Sequence, residues 1–233
     1  MQKNSPNTAA VILAAGSGKR MGIGETTQTL TVLGKTVLRR TLEAFDRAAC
    51  VDSIVVVYKE DELDFVNKEC HSLKKPFTLV KGGSCRAESA AIGFGAVSFD
   101  AEYVMIHDVA RCLITPEEIL LVAEGAYKYG AATASRPVTD TVKKCDENGK
   151  ITATLSRSEL RAVQTPQAFS KEIYAQALAN AKALDDSITD DNMLAESIGV
   201  SPYCVTTFAS NMKITAIEDI SFAEMIIKKR EGF

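Results

Sequence analysis

Short runs rich in Val, Ile and Ala alternate along the chain with longer stretches whose apolar residues recur every three or four positions. Residues 9–13, 53–57, 103–106 and 131–135 lack a regular polar alternation and fit strands covered on both faces. Between the first two, Val37–Arg47 sets Leu38, Thr41, Leu42 and Phe45 at helical spacing. A second helix is announced three ways by Thr115-Pro116-Glu117-Glu118: Thr115 caps, Pro116 suits the first turn and Glu118 completes a capping box. Its stop falls near Gly130, because glycine accepts the left-handed backbone that ends helices. Ser170 predicts a helix start running to about residue 183, and Thr189 another ending at Gly199. Thr215 and Glu218 repeat the capping-box spacing before a final helix with Ile217, Ile220, Ala223 and Ile227 on one face. This β-α alternation predicts an α/β fold, a mostly parallel sheet with helices on both faces.

One stretch departs from that rhythm. Residues 139–145 and 151–155 are β-rich, and the intervening Asp146-Glu-Asn-Gly-Lys150 is hairpin-turn chemistry. A lone hairpin is marginal in water and needs a partner surface, for which a second subunit is the simplest source. No repeat, low-complexity tract or Pro/Ser-rich linker divides the rest, so 1–233 reads as a single domain carrying an arm at 137–158.

Composition narrows the classes. Of 233 residues 46% are hydrophobic and 24% charged, ordinary for a globular chain and contrary to disorder. Lys plus Arg number 27 against 30 Asp plus Glu, a formal charge of -3 that offers no general field for a nucleic-acid backbone. The six cysteines show no C-x-x-C spacing, which argues against a zinc site or a disulfide scaffold and for thiols in a reducing cytosol. No apolar run approaches the roughly 18 to 20 residues that cross a bilayer. The run at 8–15 carries most of its cations after it, not before, and is read as a first core strand of a cytoplasmic protein and not as an export signal.

The strongest chemical signal is that run continuing into Ala14-Ala15-Gly16-Ser17-Gly18-Lys19-Arg20-Met21-Gly22. Small residues let backbone N–H groups approach a phosphate chain, and Lys19 and Arg20 can neutralise it. The dinucleotide pattern would need glycine where Met21 stands, and the P-loop would need it where Leu13 stands, so a polyphosphate is expected in neither standard cradle. Second comes Tyr103-Val-Met-Ile-His107-Asp108-Val-Ala-Arg111. A carboxylate at the C-terminal end of a buried strand is where open α/β sheets put ligand chemistry, and Asp108 suits a magnesium ion bridging phosphates. Arg111 can reach the same anion, while His107 suits a structural hydrogen bond as well as catalysis. Third, Lys81-Gly-Gly83-Ser-Cys-Arg86-Ala-Glu-Ser89 is a glycine turn opening a helix, able to read a base edge or ribose or to serve as an ordinary loop.

In order and spacing, LAAGSGKRM, GGSCRAES, HDVAR, DTVK, the Arg157 region, QTPQAF, TDDNMLAE and MKIT resemble the 2-C-methyl-D-erythritol 4-phosphate cytidylyltransferase family. The resemblance implies a single Rossmann-like domain with an extended β-arm, a homodimer, and a magnesium-dependent joining of CTP to methylerythritol 4-phosphate with release of pyrophosphate, a step of isoprenoid precursor synthesis. By that resemblance Ala14, Ala15, Gly16 and Gly18 wrap the CTP phosphates, and Arg20 stabilises the transition state. Gly83 and Ser89 read cytosine, Asp108 holds the metal and ribose side, and Lys213 contacts the phosphates. Thr141 and Arg157 on the arm hold the sugar phosphate, Arg157 from the other subunit, with Thr165 and Arg111 on the same substrate.

Departures accompany the resemblance. Where the family reads Pro-Lys-Gln-Tyr, this chain has Thr26-Thr27-Gln28-Thr29, and Thr27 carries no charge. Ser84 replaces an acidic residue and Cys112 a proline. Three consequences of Thr27 stay open: a slow enzyme, relief by Lys19 or Lys35, or an inactive homologue. A ribitol 5-phosphate cytidylyltransferase is the nearest rival, and Ala14-Ala15-Gly16 favours methylerythritol phosphate over it. A noncatalytic nucleotide-binding protein is the rival from another class. A dehydrogenase is disfavoured by Met21 and by Val57-Tyr58-Lys59, which has no acid where the second strand should end.

Overall fold

The structure, a computed structural model, describes residues 5–16, 26–208 and 210–232. Its frame is a seven-stranded sheet in the order β11-β7-β10-β6-β1-β4-β5. The strands are β1 (Thr8–Ala14), β4 (Ser53–Tyr58), β5 (Phe77–Lys81), β6 (Tyr103–Asp108), β7 (Ala131–Pro137), β10 (Arg161–Ser170) and β11 (Tyr203–Thr206). All neighbours pair in parallel except β10, which runs antiparallel to both β6 and β7. The small strands β2 (Thr31–Val32) and β3 (Lys35–Thr36) pair apart from it, as do β8 (Lys143–Cys145) and β9 (Ile151–Thr154).

The period-two rule explains how the apolar runs serve both faces. Ala10, Ile12 and Ala14 of β1 point into one core with α1 (Val37–Arg47), α4 (Pro116–Tyr129) and α7 (Glu218–Glu231), represented by Leu38, Phe45, Ile119, Val122 and Ile227. Ala9, Val11 and Leu13 point into the other, against α3 (Arg86–Gly95), α5 (Lys171–Asn180) and α6 (Asn192–Ser197). Helix α2 (Leu63–Cys70) adds Val66 and Cys70 to the first core. At Gly93 any Cβ would collide with Val11 and Val57, so that glycine lets α3 lie close on β1 and β4. The predicted mostly parallel α/β architecture is therefore present, with one antiparallel strand inside it.

Local predictions hold where capping chemistry decides them. Helix α1 has the predicted bounds. Thr115 and Glu118 form the reciprocal capping box of α4, and Gly130 ends it at φ +82°. Three boundaries are corrected. The helix opened by Ser170 stops at Asn180, and α6 begins only at Asn192, since Asp190 and Asp191 use their side chains on tertiary partners. The Thr215–Glu218 box does not form. Instead the Asp219 carboxylate accepts from the Thr215 and Ala216 N–H groups at 2.8 and 2.9 Å. The hairpin is shorter than predicted: its regular pairing starts at Lys143, with only the Leu155 N–H to Val142 carbonyl bond at 3.0 Å beyond it.

Candidate functional site

The chain runs from β1 to β4 and β5 on one side, then crosses back to place β6 on the other side of β1. Loops therefore diverge between the C-terminal ends of β1 and β6, the switch point at which open α/β sheets bind ligands. Leu13 and Asp108 are register partners there. A cavity of about 460 Å³ opens at this edge. Ala15 and Gly16 wall it after β1, Gly83 to Arg86 and Ser89 at the start of α3, Asp108 at the end of β6, and Lys213 ahead of α7. Thr27, Gln28 and Asp186 also line it.

Close approach builds the α3 wall. A Cβ at Gly82 would fall inside contact distance of the Ala15 methyl and 3.0 Å from Ser89 Oγ, so only glycine lets the two turns meet. Gly83 N–H donates to Ser89 Oγ at 3.1 Å, leaving that hydroxyl its own proton to donate. Gln28 Nε2 donates to the Gly16 carbonyl and to Glu62, tying the segment that bears Thr27 to the turn after β1.

Asp108 is the electrostatic centre. Oδ1 accepts from Arg86 Nε at 3.0 Å and Oδ2 from Lys213 Nζ at 2.7 Å. Burial alone would raise its carboxyl; Arg86 and Lys213 outweigh that and hold it well below the usual carboxylate range. Arg86 also donates through Nη1 to Asp191 at 2.8 Å, and Asp191 accepts from the Tyr174 hydroxyl at 2.6 Å. Burial and the Asp191 charge keep that phenol protonated, far above its ordinary range. No three ligating side chains cluster among the described residues, so any divalent cation would take one carboxylate here and complete its shell from a ligand. Asp108, with one oxygen facing a displaceable lysine at the cavity wall, fits that demand.

The predicted residues divide. Ala15, Gly16, Gly83, Ser89, Asp108 and Lys213 share the cavity; Ala14 is fully buried just behind it. Gly18 and Arg20, like Lys19, lie outside the described residues. Thr165 is not on the wall: its hydroxyl accepts from the Asp108 N–H at 3.0 Å and lies 3.2 Å from His107 Nδ1. Arg111 Nη1 donates to the Asn211 carbonyl at 3.1 Å. Thr141 and Arg157 are exposed on the arm, where Arg157 Nη1 donates to the Thr139 carbonyl. Lys35 pairs with Glu43 at 2.7 Å. His107 is fully buried against Phe45, its pKa pressed down to about 3 mainly by burial, so it is a neutral structural ring. Burial pushes the Cys112 thiol up to about 12, which makes it a poor nucleophile at neutral pH. Arg86 as a partner of Asp108, and Asp191 behind it, escaped the sequence reading; TDDNMLAE held the acid but gave no sign of its mate.

A glycine-lined cleft at a switch point, with a lysine and an arginine converging on the buried carboxylate of Asp108, is the equipment of an α/β enzyme that handles nucleotide phosphates. Comparison with known proteins narrows this. The model of the 2-C-methyl-D-erythritol 4-phosphate cytidylyltransferase family matches residues 8–229. The chain belongs to that family, and is thus a nucleotidyltransferase. It is 39% identical over 220 residues to a 2-C-methyl-D-erythritol 4-phosphate cytidylyltransferase of Synechococcus, covering 94% of this chain and 99% of that one. A Caldanaerobacter subterraneus enzyme of the same description is 39% identical over 228 residues, covering 96% and 100%. The crystal structure of a 4-diphosphocytidyl-2C-methyl-D-erythritol synthase from Anaerococcus prevotii superposes with a TM-score of 0.84 at 28% identity, covering 96% of this chain and 99% of that one.

Proposed function

We propose that this chain transfers the cytidylyl group of CTP to 2-C-methyl-D-erythritol 4-phosphate and releases pyrophosphate, in isoprenoid precursor synthesis. The observation that carries the reading is that the turn after β1, the Gly83–Ser89 turn and the Asp108–Lys213 pair face one cavity. The attacking group is a phosphate oxygen already ionised at neutral pH, so no general base is required. What remains is alignment with the α-phosphorus and stabilisation of charge gathering there. Gly16 takes the phosphates through its backbone N–H, with Lys213 of the cavity wall and Arg20, which lies outside the described residues, as the cations for the developing charge. Ser89 and Gly83 read the base. Magnesium held by Asp108 would supply further neutralisation of the phosphates.

Thr141 and Arg157 line no part of the cavity of their own chain. Residues 143–159 are exposed throughout, Ile151 to 58%. Both facts support a homodimer in which the arm of one copy brings Arg157 and Thr141 to the sugar phosphate of the other. Among the described residues no helix is long and apolar enough to cross a membrane, which suits a cytoplasmic enzyme of small molecules.

Thr27 supports a second reading, since it puts an uncharged hydroxyl on the cavity wall: a protein that binds nucleotide and turns over slowly or not at all. Pyrophosphate release with CTP, magnesium and either methylerythritol 4-phosphate or ribitol 5-phosphate separates these, in wild type and in Thr27→Lys. The proposal expects turnover with methylerythritol phosphate that rises in the lysine variant by on the order of 10²-fold, the scale of one transition-state cation. Nucleotide binding without turnover in either protein would establish the noncatalytic reading, and preference for ribitol phosphate the rival substrate.

A further inference from the structure

Asp191 is a fully buried carboxylate that the transfer reaction as described does not use. It lies behind Arg86, and Arg86 stands between it and Asp108, with Nη1 2.8 Å from Asp191 Oδ2 and Nε 3.0 Å from Asp108 Oδ1. Asp191 is itself immobilised: Tyr174 donates to its other oxygen at 2.6 Å, and its N–H donates to Gln167 Oε1 at 2.8 Å. Arg86 cannot turn away without abandoning a buried charge, among the costliest losses a protein interior can suffer. Lys213 is differently placed. Asp108 is its one ion-pair partner among the described residues, its side chain is one-third exposed, and its stem is flexible.

We propose that Asp191 is a positioning residue for the transfer reaction: by fixing Arg86 it makes Lys213 the cation that Asp108 yields to an incoming nucleotide. The four side chains Lys213, Asp108, Arg86 and Asp191 are formally neutral together. Once Lys213 turns to the phosphates, the remaining three carry one negative charge, which is what a divalent cation at Asp108 requires. Without Asp191, Arg86 would belong to Asp108 alone and cancel it. The cation-binding half of this inference rests on the proposed magnesium role of Asp108.

Manganese binding to the full chain, measured by paramagnetic resonance with CTP present, tests it beside steady-state kinetics. Asp191→Asn should weaken manganese binding by about tenfold, the effect of one nearby charge in a partly wet site. It should lower kcat while leaving the CTP KM at saturating metal nearly unchanged. The double variant Arg86→Gln, Asp191→Asn removes both charges together and leaves none unpaired. It should recover manganese binding to within about twofold of wild type, the ordinary error of additive energies. A merely structural role would not be rescued in this way. Asp191→Asn with wild-type manganese binding and kcat overturns the proposal, as does a double variant that binds manganese as weakly as the single one. Should the single variant fail to fold, weak binding in the folded double variant alone overturns it. Wild-type protein that binds no manganese with CTP would instead overturn the magnesium role of Asp108, and with it this inference's second half.

Discussion

His107 offers a quantitative test of how the floor of the site is built. Its ring is fully buried, and its pKa falls from 6.5 to about 3 on folding. Between those values the unfolded chain binds a proton that the folded one refuses. Stability therefore rises with pH across that window and is lost as pH falls through 6.5 toward 3. A difference of 3.5 units corresponds to about 5 kcal/mol once both limits are passed. Between roughly pH 7.5 and pH 5 the unfolded-state protonation alone removes about 2 kcal/mol. Urea unfolding at those two pH values should show that loss in wild type, and His107→Asn should lack it. The variant keeps a polar atom near Nδ1 for the Thr165 hydroxyl, and whatever its smaller volume costs is independent of pH. Glu118, whose carboxyl burial raises, has the opposite sign: its stabilisation is lost as pH rises through its folded value. It is common to both proteins and cancels in the comparison. His71, the only other histidine, is exposed on α2's far end and is likewise common to both. Identical pH dependence in wild type and variant would refute the assignment of His107 as a buried neutral ring. So would a pH–rate profile that loses a limb near neutrality in the variant, since a ring held neutral exchanges no proton with substrate.

Two glycines, Gly82 behind the cavity wall and Gly16 on it, should respond in opposite ways. At Gly82 a methyl group meets Ala15 and Ser89, so Gly82→Ala should cost about 1–3 kcal/mol in thermal unfolding and weaken CTP binding with it. At Gly16 a Cβ meets nothing within 4 Å among the described residues, so Gly16→Ala should melt like wild type and lose CTP affinity alone, as calorimetric titration would record. Asp219→Ala removes the acceptor for the Thr215 and Ala216 N–H groups and should cost about 1–2 kcal/mol by urea unfolding, lowering turnover through displacement of the Lys213–Thr215 wall.

What could be read from the sequence was what neighbours in the chain decide. The Thr115–Glu118 box and Gly130 carry their reasons within a few residues, as does the turn chemistry of 146–150, and each was legible. Where two local solutions compete, spacing does not choose: Glu218 and Asp219 both follow Thr215 closely, and it is the Asp219 carboxylate that takes the Thr215 hydroxyl and the Ala216 N–H. Strand β10 escaped notice because its buried positions include Gln164, Thr165 and Gln167, whose polar groups are satisfied by His107, Asn211 and Asp190 from distant segments. The same distance hid half of the site. That Asp108 ends a buried strand is visible in HDVAR, and that cations follow is visible in the composition of the loops. Which cation takes which oxygen depends on β6 lying next to β1 and on the loop before α6 folding back beneath α3, 105 residues from Arg86 to Asp191. Buried ion pairs of this kind need a mate within about 4 Å, and the order of strands in the sheet supplies it. Identity of the chemistry thus lies in short segments, while its electrostatic tuning lies in the topology that joins them.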